Sequence, residues 1–188
     1  MQRAMTRASM LAVLCLVAAV GGCAAETSEG DEDALGTSSD ELPGDLHYFQ
    51  GESMATASGW NQTIGEWFAS GGQTRAMWTN GTIFKNWWNP SSGYRRYRVA
   101  SRGTYCNGGW PRMNFWVVQP DGRREGVTVY PITNYLEPGP SYYLQYAGTF
   151  YMHRGSTQFA VEFPNDAWGG PGGCDRNLFI DYVAIREL

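Results

Sequence analysis

The chain has 188 residues, with 14 Lys and Arg set against 18 Asp and Glu, and 14% of its residues are aromatic. That length accommodates short accessory segments and one domain with a proper hydrophobic core. A net charge of −4 argues against nucleic acid as a partner, since such binding displaces counterions with a strongly basic face.

Residues 1–22 read as an export signal. Arg3 and Arg7 make a positive start, and Met10 to Val20 form an apolar run too short to span a bilayer, which needs about 20 residues. Val20-Gly21-Gly22-Cys23 resembles a bacterial lipobox, in which the cysteine is acylated and becomes the mature N-terminus; an ordinary signal peptide cut nearby is the alternative. Stable anchoring takes at least two acyl signals, which a multiply acylated Cys23 would supply. Ala24, rather than Asp, points to sorting to the outer membrane of a Gram-negative envelope.

Residues 23–45 form an acidic tether. From residue 24 they carry eight acidic side chains and no Lys or Arg, with too little apolar bulk to offset chain entropy. Two of the basic residues lie in the leader, so the region 46–188 keeps 12 basic and 10 acidic groups. That near-neutral balance suits an uncharged ligand.

Within 46–188, short β-type runs alternate with turn chemistry. Leu46 to Met54 opens the series. Gln73 to Trp78 and Thr82 to Trp87 flank Asn80-Gly81, the strongest short hairpin signal. Tyr94 to Ala100 leads into a loop with Cys106, Gly108, Gly109 and Trp110. Met113, Phe115 and Val117 alternate before Pro120-Asp121-Gly122, and Val127 to Ile132 follows. Phe159, Val161 and Phe163 alternate again, and Leu178 to Ile185 reads as a mostly buried last strand. The spacing predicts an all-β, antiparallel β-sandwich of the jelly-roll kind. Thr133 to Arg154 has no clear assignment.

With Cys15 in the leader and Cys23 acylated, Cys106 and Cys174 remain. In an exported protein such a pair reads as a disulfide. Zinc bound with His47 or His153 is the alternative, but no C-x₂-C or H-x₃-H spacing supports it.

The richest segment is Phe163 to Ile185. Asp166 and Asp175 bracket a loop holding Gly169, Gly170, Gly172, Gly173, Trp168 and Cys174. Hard oxygen donors on a loop whose glycines let carbonyls turn inward suit calcium, which takes six to eight oxygens in loose geometry; the bland alternative is a solvated surface turn. The ND…CDRNL run resembles the last loop and strand of the calcium-dependent xylan-binding carbohydrate-binding modules of family 60, related by fold to family 36. Gln50-Gly51-Glu52, Ala100-Ser101-Arg102-Gly103 and Gly108-Gly109-Trp110-Pro111-Arg112-Met113 add to the resemblance, which spans most of 46–188.

The resemblance implies a β-jelly roll that uses Ca²⁺ to hold vicinal sugar hydroxyls. It implies metal ligation by Asp166, Asp175 and the Cys174 backbone carbonyl, and a second, structural calcium site at Glu52 and Asp181, weakened by Gln50 in place of an acid. Trp110 and Trp168 lie in Gly/Pro-rich loops and are expected to join Asp166 and Asp175 in carbohydrate binding. Trp60, Trp67, Trp78, Trp87, Trp88 and Trp116 are expected to pack. The reading is a monomeric, non-catalytic module tethered by lipid to a membrane and binding a β-linked polysaccharide such as xylan. A small glycan hydrolase, which needs two carboxylates about 5 to 10 Å apart, and an envelope adhesion lipoprotein stay open as alternatives.

Overall fold

A computed structural model describes residues 47–131 and 141–188. The leader, Cys23 and the acidic tether lie outside the described residues, as does part of the unassigned stretch. Among the described residues there are thirteen strands: β1 (His47–Gln50), β2 (Ala55–Ser58), β3 (Asn61–Gly65), β4 (Gln73–Met77), β5 (Gly81–Asn89), β6 (Gly93–Gly103), β7 (Met113–Val118), β8 (Arg124–Val129), β9 (Tyr143–Met152), β10 (Gly155–Phe163), β11 (Ala167–Trp168), β12 (Asp175–Arg176) and β13 (Leu178–Glu187). Two single-turn 3₁₀ segments, Gly51–Ser53 and Ser70–Gly72, interrupt them.

One sheet runs β3-β4-β13-β6-β9, with β1 also paired to β13; the other runs β2-β5-β10-β7-β8. Every pairing is antiparallel. The expected sandwich is therefore present. Alternation fills its interior: Met113, Phe115 and Val117 of β7 meet Phe159, Val161 and Phe163 of β10, while Leu178, Ile180, Val183 and Ile185 of β13 close the other side. Residues two apart share a face of a strand, which is why these alternating runs become one wall of a core. Pro120-Asp121-Gly122 closes the β7–β8 hairpin, with Gly122 in the left-handed region at φ 85° and the Asp121 carboxylate accepting from the Arg123 N–H at 2.9 Å.

Asn80-Gly81 does something other than close a hairpin. β4 and β5 belong to different sheets; β4 pairs with β3 and β13, and β5 with β2 and β10. The hairpin is β3–β4, closed by Glu66 to Gly72. The β2–β3 and β4–β5 stretches instead run side by side and turn a corner from one sheet to the other together. At that corner a Cβ on Gly59 would lie 2.5 Å from the Asn80 carbonyl oxygen, and one on Gly81 would lie 2.5 Å from that of Ser58. The glycines permit contact between the two backbones that a side chain would forbid.

A second device shapes β13. One edge of this strand is shared: β4 pairs along Leu178 to Ile180, and β1 along Tyr182 to Ile185. Its register with β6 slips between Ile180 and Tyr182. Asp181 is the extra residue of that β-bulge, and bulges re-aim a side chain that regular pleating would hold elsewhere.

Candidate functional site

The 163–177 segment is built on a set of cross-braces. Cys106 and Cys174 form a disulfide, with Cα atoms 5.3 Å apart. The sequence expectation for the pair holds, and no thiol remains on these residues to ligate zinc. Cys106-Asn107-Gly108-Gly109 is a tight turn in which Asn107 and Gly108 both have positive φ, 48° and 74°, closed by the Cys106–Gly109 backbone pair. Two successive positive φ values are what Asn-Gly supplies most readily.

Arg176 holds this turn against the acidic loop. Its guanidinium donates to the carbonyls of Gly109 at 3.0 Å, Asn165 at 2.8 Å, and Cys106. Charge-assisted bonds to three carbonyls satisfy a buried cation whose planar fork spans two loops. A Cβ on Gly109 would lie 2.9 Å from that guanidinium. Asn165 adds a second clasp: its Oδ1 accepts from the Arg112 N–H at 2.6 Å, and its Nδ2 donates to the Trp110 carbonyl at 3.0 Å. Thr104 braces the far side, donating its hydroxyl to the Asp175 carbonyl at 2.6 Å and accepting from the Asn177 N–H at 2.8 Å.

On this frame Asp166 and Asp175 come close enough to repel each other. Partial burial, then the Asp175 charge, pushes the Asp166 carboxyl above its ordinary value, while its own loop backbone and Arg176 oppose the shift. Asp166 Oδ1 is buried without a hydrogen-bond partner. Its N–H is held by Asn80 Oδ1 at 2.6 Å, which ties the loop to the inter-sheet corner. Asp175 Oδ2 accepts from Asn177 at 3.1 Å. The Cys174 carbonyl accepts from the Gly169 N–H at 2.8 Å, using one of its two lone pairs. Like-charged carboxylates with an unpaired buried oxygen are costly unless a cation or proton joins them.

Trp168 lies opposite Asp175 in the β11–β12 ladder, and its side chain is 65% exposed. Trp110 is half-buried and packs edge-on against Tyr105, with ring centres 5.2 Å apart. Of the six tryptophans expected to pack, three do not. Trp60, Trp67 and Trp88 are 64%, 80% and 62% exposed. They stand at a sheet corner, in the β3–β4 loop and on the outer face of β5, positions that the local sequence pattern does not distinguish from core. Trp87 is buried between His47 and Phe49; Trp78 packs on Phe179, and Trp116 lies under the Arg124 guanidinium.

The second acidic place is buried at the bulge. Asp181 is 2% exposed, and its Oδ2 accepts from the Ser70 N–H at 3.0 Å. Burial first, and then the Glu52 and Glu66 charges, pushes its carboxyl up to about 7, against the Ser70 bond. Asp181 Oδ1, Glu52 Oε2 and Gln50 Oε1 are all buried with no hydrogen-bond partner. The 3₁₀ turn carrying Glu52 is pressed so closely on β13 that a Cβ at Gly51 would lie 2.1 Å from the Ile180 carbonyl oxygen. Gln50, which weakened the expectation of a metal here, donates its Nε2 to the Oγ of Ser70 at 3.2 Å, the residue whose N–H Asp181 accepts. Glu66 is neutralised separately by Arg102 and the Tyr142 hydroxyl.

Both places pass a chemical test for a hard cation: each presents two carboxylates and at least one buried oxygen lacking a donor, the donor set Ca²⁺ prefers. Among the described residues no three His, Cys, Asp or Glu side chains converge, so neutral oxygens would complete either shell. Arg176, Asn165, Asn80 and Thr104 organise the first place without having stood out as site residues in the sequence. The local signals were the Asn and Arg inside the ND…CDRNL run and the Asn of Asn-Gly.

No protein-family model and no curated protein matches the chain. Solved structures do. The CBM36-1 domain of a multidomain xylanase, from the hindgut metagenome of Trinervitermes trinervoides, superposes with a TM-score of 0.53 at 17% identity, covering 76% of this chain and 97% of that domain. A family 35 carbohydrate-binding module from Clostridium thermocellum gives 0.52 at 18%, covering 75% and 98%. The Podospora anserina GH26-CBM35 β-(1,4)-mannanase gives 0.50 at 12%, covering 77% of this chain and 28% of the enzyme. The chain has the sandwich fold of carbohydrate-binding modules.

Proposed function

We propose that residues 46–188 form a non-catalytic module that binds a neutral β-linked polysaccharide such as xylan through a calcium ion held by Asp166, Asp175 and the Cys174 carbonyl. The observation that carries this reading is the pairing of Asp166 with Asp175 on a loop braced by a disulfide and by Arg176, with a carboxylate oxygen left without a donor. When bound, the ion offers coordination positions that vicinal sugar hydroxyls fill in place of water. The residues of the chain do the rest. Arg176 and Asn165 fix the two loops together, Asn80 fixes the Asp166 backbone, and Trp168 presents an open indole face beside Asp175 on which a pyranose ring can stack.

Glu52, Asp181 and Gln50 are assigned to a second, structural cation at the β13 bulge. Asp181 is buried there, as are the Glu52 Oε2 and Gln50 Oε1 atoms, which favours a structural role. The lipobox-like Cys23 and the acidic tether that follows it support a lipid-anchored, monomeric module of the cell envelope, at the outer membrane. The near-neutral charge of the domain fits an uncharged chain, and the fold shared with carbohydrate-binding modules supports the ligand class.

Calorimetry against xylan, galactan and cello-oligosaccharides, with calcium and again with chelator, tests the reading. Heat of binding that disappears on chelation and returns with Ca²⁺ is expected. Binding that survives chelation, or release of reducing ends during incubation, overturns it.

A further inference from the structure

We infer that Trp60 is a second sugar-stacking platform, so that the site takes an internal stretch of an extended glycan rather than one terminal ring; this rests on the calcium-dependent reading above. Trp60 is 64% exposed, yet its backbone is fixed on both sides. Its N–H donates to Thr79 Oγ1 at 2.7 Å, and its carbonyl accepts from the Trp78 N–H at 3.0 Å. Its ring leans on Trp78 with centres 6.2 Å apart, and Trp78 in turn sits edge-on to Phe179 at 5.6 Å. An indole held from behind by rings that continue into the sheet face loses little freedom when a ligand covers its open side.

The corner connects this platform to the acidic loop. Gly59, at φ 78°, lies against the Asn80 backbone, and the Asn80 side chain holds the Asp166 N–H. One Cα step, one close backbone contact and one side-chain hydrogen bond therefore lead from Trp60 to Asp166. Trp168 stands two residues beyond Asp166 and is as exposed as Trp60. Trp60 and Trp168 are thus both exposed, on separately braced pieces of backbone that lead to Asp166.

A bilayer is the other medium that would accept exposed tryptophans. It fits poorly here, because Asp166 and Asp175 lie beside Trp168 in the same loop, and carboxylates are expensive to carry into an apolar phase. A polyol chain covers the rings with its apolar ring faces and meets the charged centre with hydroxyls. That complementarity selects the glycan.

The test uses the full chain at saturating calcium, titrated with xylo-oligosaccharides of two and of six rings. Trp60→Ala is expected to weaken the six-ring ligand about tenfold and to leave the two-ring ligand and the sugar-free calcium affinity unchanged, while Trp60→Phe retains most of the six-ring affinity. Equal loss for both lengths, or no loss for either, overturns the inference while leaving calcium-dependent binding standing. Binding of neither oligosaccharide by the wild type, with calcium present, overturns both readings. Weakened attachment to phosphatidylglycerol vesicles in Trp60→Ala, with sugar affinity intact, assigns the ring to membrane and also overturns it.

Discussion

Two acidic places on this domain start from similar chemistry and end in different surroundings. Asp166 and Asp175 lie on a half-exposed loop held by a disulfide and Arg176, with exposed Trp168 beside them. Asp181 is sealed where β1, β4 and the β13 bulge meet, with half-buried Glu52 beside it. A carboxylate pair that meets solvent can share a cation with a ligand. One inside a sheet seam can only make the cation part of the fold. Burial of Asp181, rather than residue type, is what distinguishes the two places.

The largest expected effect is at the open place. Asp175→Ala should abolish sugar binding in calorimetry while circular dichroism and the melting temperature of the calcium-loaded domain stay near wild type, since the seam is untouched. Unchanged affinity in this variant would collapse the distinction. Next comes the brace: replacing Cys106 and Cys174 with Ser should cost roughly 4 kcal/mol on the chain-entropy account of a crosslink with a sequence separation of 68. Denaturant unfolding reads this cost, and sugar affinity should fall alongside it because the two loops are released together.

The seam should respond to pH and calcium in opposite senses. Asp181 titrates at about 7 in the fold, above its ordinary value of 3.8, so the metal-free fold favours the protonated carboxyl. Its stability should be highest in mild acid and decline as pH rises from about 4 through 7, where the unfolded chain has already released the proton. Thermal melts in chelator should therefore run higher at pH 5 than at pH 8, and Asp181→Asn should flatten that difference. Added Ca²⁺ should raise the melting temperature more at pH 8 than at pH 5 in the wild type, and by less in Asp181→Asn, where only the open place is left to bind it. A wild-type pH profile in chelator that rises across this window would remove the buried carboxyl from the account.

The smallest effect tests the stacking face. Trp168→Ala should weaken sugar binding by about 1 kcal/mol, within the range for aromatic contacts, with calcium affinity unaltered. A loss of calcium affinity in this variant would mean that the ring shields the ion instead of stacking on sugar.

Much of the fold could be read locally. The alternation in β7 and β10, the apolar run of β13 and the Pro-Asp-Gly turn each encode their element through a period or a dihedral preference. Asn80-Gly81 misleads because a tight-turn preference is satisfied equally by a hairpin and by a corner between sheets. The exposed tryptophans mislead for a related reason: an indole at the edge of a β-run reads the same whether its strand face meets the core or solvent.

Sequence by itself determined the β-sandwich, the pairing of the two cysteines in the described domain, and the presence of hard oxygen donors in the glycine-rich loop. These follow from side-chain period, cysteine count and donor chemistry, all of which are local or compositional. Tertiary structure alone decided that Arg176 binds three carbonyls across two loops, that Gln50 and Asp181 meet at Ser70, and that Trp60 stands next to the corner leading to Asp166. Each of these depends on contacts between residues far apart in the chain. A bulge in β13 and a shared corner between sheets create them, and neither leaves a mark in any short window of sequence.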